Sequence, residues 1–280
     1  MKHIKNFIIK GKGSKPLVTD YCYKNNGQKK PILIFCHGYK GFKDWGCWNL
    51  IAEHFARNDF FFVKFNFSYN GGTPEQPIDF PDLEAFGNNN LSQELDDLGI
   101  VLDSTLENND LQPEIEKNKI TLIGHSRGGG IITIKAAEDP RISSVVSWAG
   151  VSDYENRFPK GKALDDWRKN GVYFVENSRT KQKMPHYFQF YEDFVTNKKR
   201  FSIQTAVEKL TIPYLIIHGT NDEAVSVQEA KNLHTWNPNS ELYLIDGAGH
   251  TFGGKHPWTE NSLTFHLQKV LDKTITFLQK

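Results

Sequence analysis

Ile120-Thr121-Leu122-Ile123-Gly124-His125-Ser126-Arg127-Gly128 is the stretch that decides the fold of this chain. An apolar run, a serine between two glycines and a small-residue stretch from Gly128 to Glu138 read as strand, sharp turn and helix. A G-x-S-x-G in that setting is a nucleophile elbow, a strained turn that lifts the serine hydroxyl above the sheet. Glycines flank it because side chains there would collide with the neighbouring strand and helix. The alternative for Ser126 is an ordinary helix N-cap.

A serine hydroxyl is a weak nucleophile near neutral pH. It needs a base to take its proton, and the base needs an acid to fix its tautomer. Downstream, Pro213-Tyr214-Leu215-Ile216-Ile217-His218-Gly219 reads as a buried strand with Asp222 just beyond it. Ser240-Glu241-Leu242-Tyr243-Leu244-Ile245-Asp246 reads as the next strand, followed by Gly247-Ala248-Gly249-His250. Both Asp222 and His250 thus follow the C-terminal ends of strands, where open α/β sheets place their sites. Glu223 and Asp246 are the rival acids, and Asp222 itself could be a turn residue. His37, His125 and His218 are expected to support the site by packing or hydrogen bonding.

Pro31-Ile32-Leu33-Ile34-Phe35-Cys36 reads as a further strand, ending in the turn His37-Gly38-Tyr39-Lys40-Gly41. Its glycines let the backbone approach a ligand, so the amides of Tyr39 and Arg127 are the expected oxyanion hole.

With these motifs in hand, the chain resembles an α/β-hydrolase from about Pro31 onward. The resemblance rests on His37-Gly38, Gly124-His125-Ser126-Arg127-Gly128, His218-Gly219-Thr220-Asn221-Asp222 and Gly249-His250, in that order. It is most similar to the dienelactone-hydrolase-like and acyl-esterase or serine-aminopeptidase-like branch. Ser126 at the elbow argues against the members that use an aspartate nucleophile. The resemblance implies a Ser126-His250-Asp222 triad, the order Ser, Asp, His along the chain being that of the fold.

Composition agrees with one domain spanning residues 1–280. A chain of 280 residues can bury a large core. Mean hydropathy is −0.53, and no run approaches the roughly 18 apolar residues of a membrane span, so integral membrane association is not expected. The apolar run in Phe7-Ile8-Ile9 is too short for a signal-peptide core. Cys22, Cys36 and Cys47 have neither metal-ligand spacing nor an even count. No cofactor or metal, a reducing compartment and a cytoplasmic location are the expectations. Basic and acidic residues number 34 and 33, which argues against nucleic-acid binding.

Strands are predicted near 4–9, 17–23, 32–36, 60–67, 120–123, 144–148, 214–218 and 242–246. Helices are predicted near 48–57, 91–106, 128–138, 227–236 and 260–278. The fold class is therefore α/β: a mostly parallel sheet of about eight strands, helices on both faces, and an antiparallel edge at the first two strands.

Residues 151–205 break the alternation and hold 11 of the 36 aromatic residues. The segment is expected to be a small helical cap over Ser126. Trp167, Tyr173, Phe174, Tyr187 and Phe190 are the candidate pocket residues, with packing of the cap as the alternative. The loop 71–90 is a second candidate wall. The expected activity is hydrolysis of a small-molecule carboxylic ester through an acyl-enzyme. An aminopeptidase or amidase, with Glu155, Asp165 or Glu192 holding a substrate amine, and a catalytically silent binding protein are the alternatives.

Overall fold

A computed structural model describes all residues from Met1 to Lys280. The chain runs β1 (Lys2–Ile9), β2 (Leu17–Tyr23), β3 (Lys30–Cys36), α1 (Trp48–Arg57), β4 (Phe61–Asn66), α2 (Leu83–Gly87), α3 (Leu91–Glu107), β5 (Ile115–His125) and α4 (Arg127–Glu138). It continues through β6 (Ser144–Trp148), α5 (Lys162–Asn170), β7 (Val172–Glu176), β8 (Lys183–Tyr187), α6 (Gln189–Thr196), α7 (Ile203–Lys209), β9 (Tyr214–Gly219), α8 (Val227–Trp236), β10 (Glu241–Ile245) and α9 (Phe265–Leu278).

Eight strands form one sheet in the order β1-β2-β4-β3-β5-β6-β9-β10. From β4 to β10 the pairings are parallel, whereas β1 and β2 form the antiparallel edge that the sequence predicts. The alternation along β3 shows why the sheet is covered twice. Ile32, Ile34 and Cys36 enter a core of 39 buried residues shared with α3, α4, α7 and α8. Leu33 and Phe35 point the other way, into a core of 24 shared with α1 and α9. Successive side chains leave a strand on opposite faces, so a continuous apolar run is what a doubly covered strand requires.

Two boundaries differ from the sequence reading by more than two residues. β5 begins at Ile115, and α9 begins at Phe265 and not at Glu260, because Thr264 Oγ1 accepts the Leu267 amide at 3.0 Å and caps the helix there.

The segment after β6 is the larger departure. It is not wholly helical: β7 and β8 form an antiparallel hairpin between α5 and α6. Val172-Tyr173-Phe174-Val175 alternates sides and is made of β-branched and aromatic residues, which fit a pleated, half-covered surface better than a helix face. Gly171, in the left-handed conformation at φ 72°, ends α5 and turns the chain into the hairpin. The hairpin packs on α2, inside the 71–90 loop. No helix in the fold is long and apolar enough to cross a membrane.

Candidate active site

Ser126 joins β5 to α4 with φ 56° and ψ −122°. A non-glycine residue there is strained by about 1–3 kcal/mol, and the surroundings must hold it. They do so through the backbone. The Ser126 amide donates to Trp148 O at 3.0 Å, and its carbonyl accepts from Gly129 at 2.9 Å and Val151 at 3.2 Å. A Cβ at Gly128 would lie 2.5 Å from Cys36 O, and one at Gly38 would lie 2.9 Å from Ser126 Cβ. Only bare backbone lets α4, β3 and the 37–46 loop meet around the serine. Ser126 stands at the N-cap position of α4, yet its side chain makes no capping bond.

Asp222 and His250 arrive from the ends of β9 and β10. His250 Nδ1–H donates to Asp222 Oδ2 at 2.8 Å. Asp222 Oδ1 accepts the amides of Ala224 at 2.9 Å and Val225 at 2.8 Å, and His218 Nε2 lies 3.3 Å from Oδ2. Burial alone would raise the Asp222 carboxyl, but hydrogen bonds from His218, His250 and Val225 hold it well below the usual range. The rival acids lie elsewhere. Glu223 is exposed, and Asp246, also exposed, accepts from Thr220 Oγ1 at 3.1 Å.

The other histidines brace this arrangement. His125 Nε2 meets His250 O at 2.9 Å, and His37 Nδ1 meets Gly38 O at 2.9 Å. Burial pushes His125 down to about 3 and His37 down to about 4, so both are neutral. No group of three or more His, Cys, Asp or Glu side chains is placed to hold a metal ion.

Tyr39 and Arg127 both line the cavity beside the serine. The Tyr39 amide donates to no group of the protein. The Arg127 amide is the first of α4, beyond reach of any intrahelical carbonyl. The Arg127 guanidinium stands 3.1 Å from Glu94 Oε1 and 4.8 Å from the centre of the Phe190 ring.

The loop that carries Tyr39 is anchored by three buried charges and the half-buried Asp44, all absent from the sequence reading. Lys43 Nζ reaches Asp20 at 2.8 Å and Asp44 at 2.5 Å; Lys64 Nζ reaches Asp20 at 2.6 Å and Asp44 at 2.5 Å. Burial would raise Asp44, but Lys64 and Lys43 draw it down to about 2. Asp20 and Lys64 interrupt otherwise apolar runs in β2 and β4. A lone charge inside a buried strand was the available signal.

Ser126 and His250 face a cavity of about 510 Å³. No Ser126–His250 hydrogen bond is formed, a common state before substrate binds. Of the five candidate pocket aromatics, the structure brings Tyr173 and Phe190 to this cavity. The other three correct the sequence reading. Trp167 is buried behind the wall, donating from Nε1 to His186 O at 2.8 Å. Phe174 is 58 % exposed on the outer side of the hairpin. Tyr187 turns away to donate to Glu84 Oε2 at 2.5 Å. Tyr154, Phe158 and His186 take their places.

A smaller cavity of about 120 Å³ lies under Trp45 and Trp48 and shares Ser126 and His250. A more open cleft of about 770 Å³, on the outer flank of α8, touches none of Ser126, Asp222 and His250. The first two cavities both adjoin Ser126 and His250.

Known proteins share this architecture. The family described as "BAAT / Acyl-CoA thioester hydrolase C terminal" matches residues 109–262. "Uncharacterized peptidase YtmA" of Bacillus subtilis (strain 168) is 30% identical over 119 residues, covering 42% of this chain and 40% of that protein. This chain therefore spans less than half the length of that relative. "Monoacylglycerol lipase ABHD6" of Rattus norvegicus is 23% identical over 274 aligned positions, covering 85% of this chain and 75% of the lipase. The solved structure of ferulic acid bound to Est1E from Butyrivibrio proteoclasticus has a TM-score of 0.75 at 19% identity, covering 98% of each chain. The family described as "alpha/beta hydrolase fold" matches residues 31–181, and with that match covering more than half its length, the chain belongs to the α/β-hydrolase fold family.

Proposed function

We propose that this chain is a serine hydrolase that cleaves carboxylic esters through an acyl-enzyme. The observation that carries the reading is the 2.8 Å bond from His250 to Asp222 beside a serine on a strained turn. In the first step His250 Nε2 takes the Ser126 proton as Oγ attacks the ester carbonyl. The amides of Tyr39 and Arg127 receive the oxyanion that forms. His250 then gives its proton to the leaving alcohol, and water, deprotonated by the same imidazole, releases the acid from Ser126. Asp222 keeps the Nδ1–H tautomer and stabilises the imidazolium.

The cavity under the insertion supports an apolar or aromatic acyl group, since Tyr154, Phe158, Tyr173 and Phe190 line it. Ferulic acid, the ligand of the Est1E structure, is an aromatic acid of that kind. An aminopeptidase would need a carboxylate to hold the substrate amine, and none lines this cavity. Asp165 pairs with Arg168 on the surface, Glu155 pairs with Lys198, and Glu192 is exposed.

The test is reaction with a fluorophosphonate followed by mass spectrometry, alongside turnover of p-nitrophenyl esters of increasing acyl length. Ser126 is expected to carry the label. Ser126→Ala is expected to lose label and turnover, by a factor on the order of 10⁶, with its unfolding transition unchanged. Turnover retained in pure Ser126→Ala would overturn the assignment.

A further inference from the structure

Tyr39 has one side-chain hydrogen bond, and its partner belongs to the insertion. Its hydroxyl lies 2.7 Å from His186 Nε2, in β8. The imidazole has little freedom. Its ring stacks on Tyr173 at 4.8 Å and 16°, meets Phe86 edge-on at 5.5 Å, and its own carbonyl accepts Trp167 Nε1.

Around Tyr39 the backbone has few bonds of its own. The Gly41 amide closes a turn on Gly38 O at 3.0 Å, the Tyr39 amide is unpartnered, and Lys40 takes the left-handed φ of 53°. The charges of Lys43 and Asp44 fix the loop only downstream of this turn. The Tyr39 side chain is tethered by its bond to His186, with the Phe86 ring packed beside it.

We propose that His186 is a positioning residue: through the Tyr39 hydroxyl it sets the direction of the Tyr39 amide, so that a correctly seated insertion is a condition for a complete oxyanion hole. The inference rests on the serine-hydrolase reading above. Its consequence is a division of labour, in which the insertion shapes the cavity and also completes the chemistry.

The test compares Tyr39→Phe, His186→Phe, the double variant and His186→Gln, using kcat and KM for a p-nitrophenyl ester. Because the hydroxyl contacts His186 and not the reacting atoms, Tyr39→Phe is expected to lower kcat about 10- to 100-fold while KM changes less than about twofold. His186→Phe is expected to do the same, and the double variant to be no worse than either single one, since both remove one shared bond. His186→Gln, whose side-chain amide keeps a polar partner for the hydroxyl, is expected to recover part of the loss. Wild-type kcat in Tyr39→Phe, or losses that multiply in the double variant, would overturn the proposal. Tyr39→Phe removes a single oxygen and decides the matter even where His186→Phe does not fold. Failure here leaves fluorophosphonate labelling of Ser126 intact, whereas failure of the serine-hydrolase reading abolishes it.

Discussion

On the elbow side of the site, Ser126 is held by what its neighbours lack: Gly128 and Gly38 carry no side chain, so three backbones close around it. Further along the 37–46 loop, the hold comes from what the neighbours carry, two lysines and two aspartates in a closed ring, three of them buried and Asp44 partly so. Steric closure and charge closure fail differently. The first tolerates no added atom and is indifferent to pH or to a distant charge. The second depends on every member of the ring staying ionised, because removing one leaves its partners charged in a dry interior.

The sharpest way to separate the two sides is a change that alters chemistry and spares both frameworks. Asp222→Asn keeps an oxygen for the Ala224 and Val225 amides but favours the wrong imidazole tautomer. It is expected to lower kcat by about 10⁴ and, because the fold stabilises the ionised carboxylate, to lower the urea midpoint as well; an unaltered rate would return the acid role to Glu223 or Asp246.

Lys64→Met attacks the charged side. Asp20 and Asp44 are then left with Lys43 alone, and the expected loss is about 3–5 kcal/mol in urea unfolding. Adding Asp44→Asn is expected to recover part of that loss, since the second change removes the orphaned carboxylate. If Lys64→Met were as stable as the wild type, the ring would not be what holds the loop.

The smallest expected effect is a pH slope. His37, His125 and His186 are kept neutral by burial, at about 4, 3 and 3, whereas an unfolded histidine protonates near pH 6.5. Below that pH the unfolded chain binds protons that the native state does not. Stability therefore falls as pH drops from about 6.5 toward 4, by at most about 1.4 kcal/mol per pH unit for each histidine. His186→Phe should flatten the slope, measured by urea unfolding at several pH values. An identical slope in that variant would remove His186 from the account.

Much of the sheet and of the site's skeleton was legible because each rests on a local rule. Strand alternation announces β3 and β9, and residue type at a strand end points to Ser126, Asp222 and His250. What escaped depends on partners distant in sequence. Val172–Val175 reads as aromatic-rich chain until Met184 and Pro185 pair with it as a hairpin. Once that hairpin stands, the side of each residue is settled: Tyr173 faces in and Phe174 out. Tyr154, Phe158 and His186 could not be selected earlier, since their places follow from the packing of the insertion. Asp20 and Lys64 form their ring only when β2 lies beside β4.

The insertion leaves the sheet after β6 and returns at β9, and those two strands are immediate neighbours. Because the two strands are parallel, the chain leaves at the C-terminal end of β6 and re-enters at the N-terminal end of β9, on the opposite edge of the sheet, with α7 making the last part of the crossover. The part before α7 lies outside the eight-stranded sheet, so it can be lengthened, shortened or exchanged without changing the order or register of any of its strands. On the serine-hydrolase reading proposed above, substrate choice is carried on that module and the reacting groups on a permanent chassis. The Tyr39–His186 bond is one of the places where a replacement module would have to match the chassis atom for atom, as are Tyr187–Glu84 and Asp193–Ser92.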